Sequence, residues 1–138
     1  MRWLVLAIAV LAALPAHAQA PGHQAPSRDP RAIVGHDVGE VSAGRRIVRA
    51  EGDEIRFADG LVIHVFHGAQ VVDMSVPVPA GMTCDEIPAW LGLPPIPGSF
   101  PLRRADGCEW PSRSPRHVLA PGLAGRVQGG VLRVWRAP

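Results

Sequence analysis

Residues 51–68, EGDEIRFADGLVIHVFHG, decide how this chain is read. They hold two runs rich in β-branched and aromatic residues, EIRFA and LVIHVF, set between Gly52-Asp53, Asp59-Gly60 and His67-Gly68, which is the punctuation of a β-hairpin. A two-residue turn at Asp59-Gly60 would set Ile55 opposite His64 and mix polar with apolar side chains on both faces. A three-residue loop, Ala58-Asp59-Gly60 with Gly60 left-handed, pairs Phe57 with Leu61 and Ile55 with Ile63. Register follows the buried face, so the second closure is expected. It gathers Ile55, Phe57, Leu61, Ile63 and Val65 towards a core and leaves Glu54, Arg56, Val62, His64 and Phe66 on the other side. A two-residue His67-Gly68 turn would then add Gln70, Val72 and Met74 to the core face and set Asp73 beside Glu54, Arg56 and His64. That second face is either a solvated polar surface or a binding face.

Working outward, RRIVRA (residues 45–50) and AQVVDMSV (69–76) extend the pattern to a meander over residues 45–76. Residues 77–111 carry eight of the fifteen prolines and are not expected to form regular sheet. Within them TCDEIPAWLG (83–92) predicts a short helix, capped by Asp85, with Pro88 in its first turn and Gly92 and Pro94 at its end. Ser114-Pro115 offers a second helix start, interrupted at Pro121-Gly122. Gly129-Gly130 reads as a hairpin turn leading into a last strand, VLRVW. The expected fold is mainly β, a small OB-type barrel or meander with one or two short helices.

The N-terminus, MRWLVLAIAVLAALPAHAQA, has Arg2, twelve apolar residues from 3 to 14, Pro15, and an Ala-His-Ala site. These are the parts of a secretory signal peptide, residues 1–18, cleaved near Ala18. The run falls short of the roughly 20 residues that span a bilayer, so no transmembrane anchor is expected in the mature chain. Residues 19–35, rich in Pro, Gln and Ser, predict a flexible linker, which leaves residues 36–138 as one small domain. Export to the periplasm or outside the cell puts the two cysteines, Cys84 and Cys108, under oxidising conditions. A disulfide between them is expected, since a zinc site would call for CxxC or HxxxH spacing that is absent.

All fourteen basic residues are Arg. Residues 19–102 hold six Arg against ten acids, and residues 103–138 hold seven against two, with Trp110 and Trp135 interleaved. A basic third with aromatics suits a phosphate-bearing partner, nucleic acid included; a solvated Arg surface is the plainer reading. His64-x-x-His67 is not a metal pair on a strand, because residues three apart point to opposite faces. No nucleophile elbow and no phosphate-cradling Gly-rich loop is present.

IVRAEGDEIRFADGLVIHV (residues 47–65) resembles the first strands of the staphylococcal-nuclease (thermonuclease-like) family. DGCEWPSRSPRHVLAPGLAGRVQGGVLRVW (106–135) is similar to a later stretch of its exported members. The resemblance implies an OB-type five-stranded barrel and calcium-dependent phosphodiester hydrolysis. It also implies a metal-binding role for Asp53 with Glu51 nearby, and a catalytic set drawn from His64, Arg56 and Asp73. His64 stands where the family has its first catalytic arginine, and imidazole lacks the fork and the permanent charge of guanidinium. The run that carries the family's water-orienting glutamate is replaced by GAQVVDMSV, and the Tyr-Gly-Arg segment is absent.

GMTCDEIPAWLGLP (81–94) resembles the opening of BamE/SmpA-type envelope domains, which implies an envelope-protein partner and no catalysis. Three functions follow: a catalytically degenerate, exported thermonuclease-like domain that binds a partner; an active calcium-dependent nuclease using Asp73 and one of Arg103, Arg104 or Arg113; or a BamE/SmpA-like interaction domain. The first is the reading preferred.

Overall fold

The structure, a computed structural model, describes residues 26–138. The expected signal peptide lies outside the described residues, as do residues 19–25 of the expected linker. Eight antiparallel strands form one sheet: β1 (Ile47–Glu51), β2 (Glu54–Phe57), β3 (Val62–Phe66), β4 (Gln70–Pro77), β5 (Leu102–Arg104), β6 (Gly107–Trp110), β7 (Leu123–Gln128) and β8 (Val131–Arg136). The order β1-β2-β3-β4-β8-β7-β6-β5 joins two four-stranded meanders along β4 and β8, with β1 and β5 at the open edges. The mainly β fold and the meander are as expected, and the sheet does not close into a barrel.

The β2–β3 hairpin takes the expected three-residue loop. Ile55 pairs with Ile63, the Phe57 N–H donates to the Leu61 carbonyl at 2.9 Å, and Gly60 sits at φ +93°, where a Cβ would be strained. Phe57, Leu61, Ile63 and Val65 are buried.

The next turn differs from expectation. Phe66 pairs with Gln70, so the loop has three residues, His67, Gly68 and Ala69, and a bulge at Val72 inserts one more. The loop flips the parity of β4 and the bulge restores it. Val71 is therefore buried while Gln70 and Val72 are exposed, against expectation, yet Met74 still faces the core and Asp73 the other side.

A layer of short elements covers the apolar sheet face. Ile33, Val34, Val41, Ile87, Leu91, Leu93 and Leu119 join Ile63, Met74, Trp110, Leu132 and Val134 in one core. Ile33 and Val34 lie in the stretch expected to be linker; its described part, residues 26–35, includes a 3-10 turn at Pro30–Ala32 and packs into the fold. The unpredicted helix α1 (Val38–Ser42) is capped by Asp37, whose Oδ1 accepts from the Gly39 N–H at 2.8 Å. Five residues are too few for a helical period to show in sequence.

A 3-10 turn, Cys84–Glu86, leads into α2 (Ile87–Trp90). Its start is set by Thr83, whose N–H donates to Glu86 Oε2 at 2.7 Å, one side of a capping box. Asp85, the expected cap, instead pairs with Arg103 at 2.7 Å. Residues 102–110 form a hairpin inside the proline-rich stretch because no proline falls between Pro101 and Pro111. Ser114-Pro115 opens a turn and not a helix.

Cys84 and Cys108 are joined in a disulfide, with Cα atoms 6.5 Å apart. It ties the covering layer to β6. Among the described residues no helix is long and apolar enough to cross a membrane.

Candidate functional site

The face of the sheet opposite the core is built row by row from cross-strand partners. One row runs Glu51, Glu54, His64, Asp73 and Trp135 across β1, β2, β3, β4 and β8. The adjoining row runs Arg49, Arg56, Val62, Ser75, Arg133, Arg126 and Glu109 across seven strands, β1 to β6 by way of β8 and β7. The polar face expected from β2 and β3 is thus real, and the second meander doubles its width.

At its centre Asp73 is buried, the one charged residue so placed among the described residues. Its Oδ1 lies 2.6 Å from His64 Nδ1 and its Oδ2 accepts from Arg133 Nη2 at 2.8 Å. Both carboxylate oxygens are therefore occupied, as burial of a charge demands. A carboxylate at Nδ1 favours the tautomer protonated there, which turns Nε2 outward as the free nitrogen of a half-exposed imidazole. Arg133 also lies 5.6 Å from the centre of the Trp135 ring, a cation–π distance. Beside His64, a shallow groove of about 350 Å³ is lined by Arg56, Val62, Ser75 and Val131.

The remaining charges on this face are arranged in two ways. Arg56 pairs with Glu54 at 2.8 Å, Arg49 with Glu51, and Arg104 with Glu109. Arg126 and Arg133 stand directly opposite one another on β7 and β8, and Arg126 forms no ion pair among the described residues. Like charges in direct register destabilise a sheet by themselves. Trp135 is half-buried on this face, and Phe66 is exposed at its β3 end, so aromatic and cationic groups share the surface. Trp110, its expected companion, is buried in the core.

The residues expected to form a nuclease-like site are brought together in part. His64 and Asp73 meet directly, and Arg56 lines the same groove. Glu51 and Asp53 lie at the β1–β2 turn; Glu51 is three strand spacings from Asp73, about 14 Å at ~4.8 Å per strand. Calcium takes about six to eight oxygen ligands, and among the described residues no group of three His, Cys, Asp or Glu could hold a metal ion. These residues do not supply a calcium cage. Arg103 and Arg104 lie on β5, the far edge of the sheet, where they pair with Asp85 and Glu109; Arg113 is in the 111–120 loop. None of the three reaches Asp73 through the sheet.

Two residues that the sequence did not single out matter most here. Arg133 and Arg126 reach the site through the β4–β8 and β7–β8 pairings, and Arg133 contacts a residue 60 positions away. Once a final strand is recognised, its alternation puts Arg133 opposite in sense to Leu132 and Val134; only the partner strand is not written locally.

Arg45 is also cationic, with its side chain tucked into the fold, but its role is structural. Its guanidinium ties the Val41 and Ser27 carbonyls to Asp59 beneath the β2–β3 loop. A second cavity, about 260 Å³ under the proline-rich loop, is lined mainly by apolar groups such as Leu93, Ile96 and Leu119.

No family model, no curated protein and no solved structure matches the chain. The functional reading therefore rests on the polar face itself.

Proposed function

We propose that this protein is an exported binding domain that takes a phosphate-bearing ligand, single-stranded nucleic acid in particular, on the polar sheet face without cleaving it. The observation that carries the reading is the Arg126–Arg133 pair, two guanidinium groups in direct register, with Arg126 outside any ion pair among the described residues. An anion between them would relieve the repulsion they create and accept several charge-assisted hydrogen bonds. Trp135 beside Arg133, and Phe66 on the same face, offer flat surfaces on which bases stack with little regard to sequence. The basic C-terminal third supports the same partner class, and the apolar N-terminus and the disulfide support export.

Cleavage is not part of the reading. Phosphoryl transfer needs cationic groups and a metal clamp aimed at the developing charge. Here the acids of the β1–β2 turn are remote from Asp73, and Asp73 is already shared between His64 and Arg133. Imidazole in place of a catalytic guanidinium removes a donor whose loss lowers rates by ~100- to 1000-fold where tested.

The test uses fluorescently labelled oligothymidylate and the mature protein, followed by anisotropy at rising salt and by gel with calcium or chelator. Binding that weakens with salt, with affinity lowered at least several-fold in Arg126→Ala and the oligonucleotide left intact, is expected. Absence of binding at low salt would refute the proposal. Cleavage that chelator abolishes, and that vanishes in Asp53→Ala, would replace it with the nuclease reading.

A further inference from the structure

The edge strand β1 carries a pattern that its own neighbour does not satisfy. In the β1–β2 pairing Arg49 stands opposite Arg56 and Glu51 opposite Glu54, so like charges face like charges in both places. Among the described residues each is neutralised only by the residue two positions along its own strand, Arg49 by Glu51 and Arg56 by Glu54. Direct like-charge pairs are unfavourable in a sheet, and opposite-charge pairs favourable.

The direction of the β1 backbone groups follows from the hydrogen bonds of β2. Asp53 accepts from the Val65 N–H and Phe57 donates to Leu61, both at 2.9 Å, so these two residues turn their main chain towards β3. By alternation Glu54 and Arg56 turn theirs towards β1, opposite Glu51 and Arg49. Ala50, between them, points its N–H and C=O away from β2 to the open edge of the sheet.

We infer that β1 pairs with β1 of a second copy of this chain, antiparallel, with Ala50 opposite Ala50 on a two-fold axis. In that register the two Ala50 residues exchange both N–H···O bonds. Each Arg49 then stands opposite the Glu51 of the other copy, in the closer, non-hydrogen-bonded position. The symmetry satisfies both charge pairs at once, as an isologous interface requires. Arg49 and Glu51 also lie on the polar face of the sheet, so their pairing buries no lone charge.

The whole of β1 is exposed, including Ile47 and Val48, which add apolar area beside the axis. The bulge at Val48 ends the regular edge. The contact therefore stays short, far below the ~1,200 Å² of a stable interface, and the dimer is a transient one. The inference is independent of any ligand on the polar face.

Sedimentation velocity of the unliganded protein over a wide concentration range, up to about 1 mM, the scale of weak association, is the test. The weight-average sedimentation coefficient should rise towards that of a dimer. Ala50→Pro removes the outward N–H without touching the β1–β2 ladder, and should stay monomeric with an unchanged far-UV spectrum. Glu51→Arg should also be monomeric, because Arg then meets Arg. The exchanged pair Arg49→Glu with Glu51→Arg should recover the dimer, since that swap preserves complementarity across the axis. A wild-type protein that remains monomeric overturns the inference, as does a dimer that survives Glu51→Arg, or an exchanged pair that stays monomeric.

Discussion

His64 and Asp73, on adjacent strands, face one another in register with Nδ1 and Oδ1 2.6 Å apart, and the second oxygen of the same carboxylate holds Arg133. Asp73 thus joins the first meander to the second across the β4–β8 seam. Its replacement by alanine leaves Arg133 and His64 without their shared acceptor. We predict that Asp73→Ala lowers unfolding free energy by about 1–3 kcal/mol, the range for breaking a buried hydrogen-bonded group. Urea titration of the variant checks this, and an unchanged midpoint would show that the carboxylate is not holding the seam.

The register of the first hairpin predicts opposite outcomes for two aliphatic residues. Ile63 is wholly buried against Met74, whereas Val72 stands out at the bulge with 44% of its surface exposed. Ile63→Ala should cost about 2–5 kcal/mol, and Val72→Ala no more than about 0.5 kcal/mol, as for other surface changes. Equal effects would place the bulge elsewhere.

These two residues also mark what the sequence makes legible. The pairing of Ile55 with Ile63 could be read because loop length and hydrophobic alternation are both local and agree. The bulge at Val72 could not, because an inserted valine leaves no mark beside the identical Val71. The β5–β6 hairpin was hidden by proline content averaged over too long a window. The candidate site was half legible: His64 and Asp73 share a face by alternation on adjoining strands, but Arg133 and Arg126 join them only through pairings between distant strands. The burial of Ile33 and Val34 was masked by polar, proline-rich neighbours that read as linker.

Gly107 is required by close approach. A Cβ there would lie 2.0 Å from the Val127 carbonyl oxygen on the paired strand, a backbone atom that cannot step aside. Gly107→Ala should therefore separate β6 from β7 and cost at least about 1–3 kcal/mol, the usual scale of overpacking. Thermal denaturation reads the loss, and a variant as stable as the parent would contradict the β6–β7 spacing.

The disulfide closes a loop with a sequence separation of 24 between the helical cover and β6. In the chain-entropy model its removal costs ~3 kcal/mol. Thiol titration of the denatured, unreduced protein should find no free thiol, and reduction should lower the urea midpoint. Two titratable thiols before reduction would refute the bond.

The central claim is that the polar face around Arg126, Arg133 and Trp135 is where a phosphate-bearing ligand is held. An NMR titration of ¹⁵N-labelled mature protein with oligothymidylate at low salt tests it most directly. The account predicts shifts that saturate with ligand and concentrate on the backbone of Arg56, His64, Arg126 and Arg133 and on the Trp135 indole, with the β1–β2 turn at Glu51 and Asp53 unmoved. Shifts centred on that turn, or none at all, would contradict it.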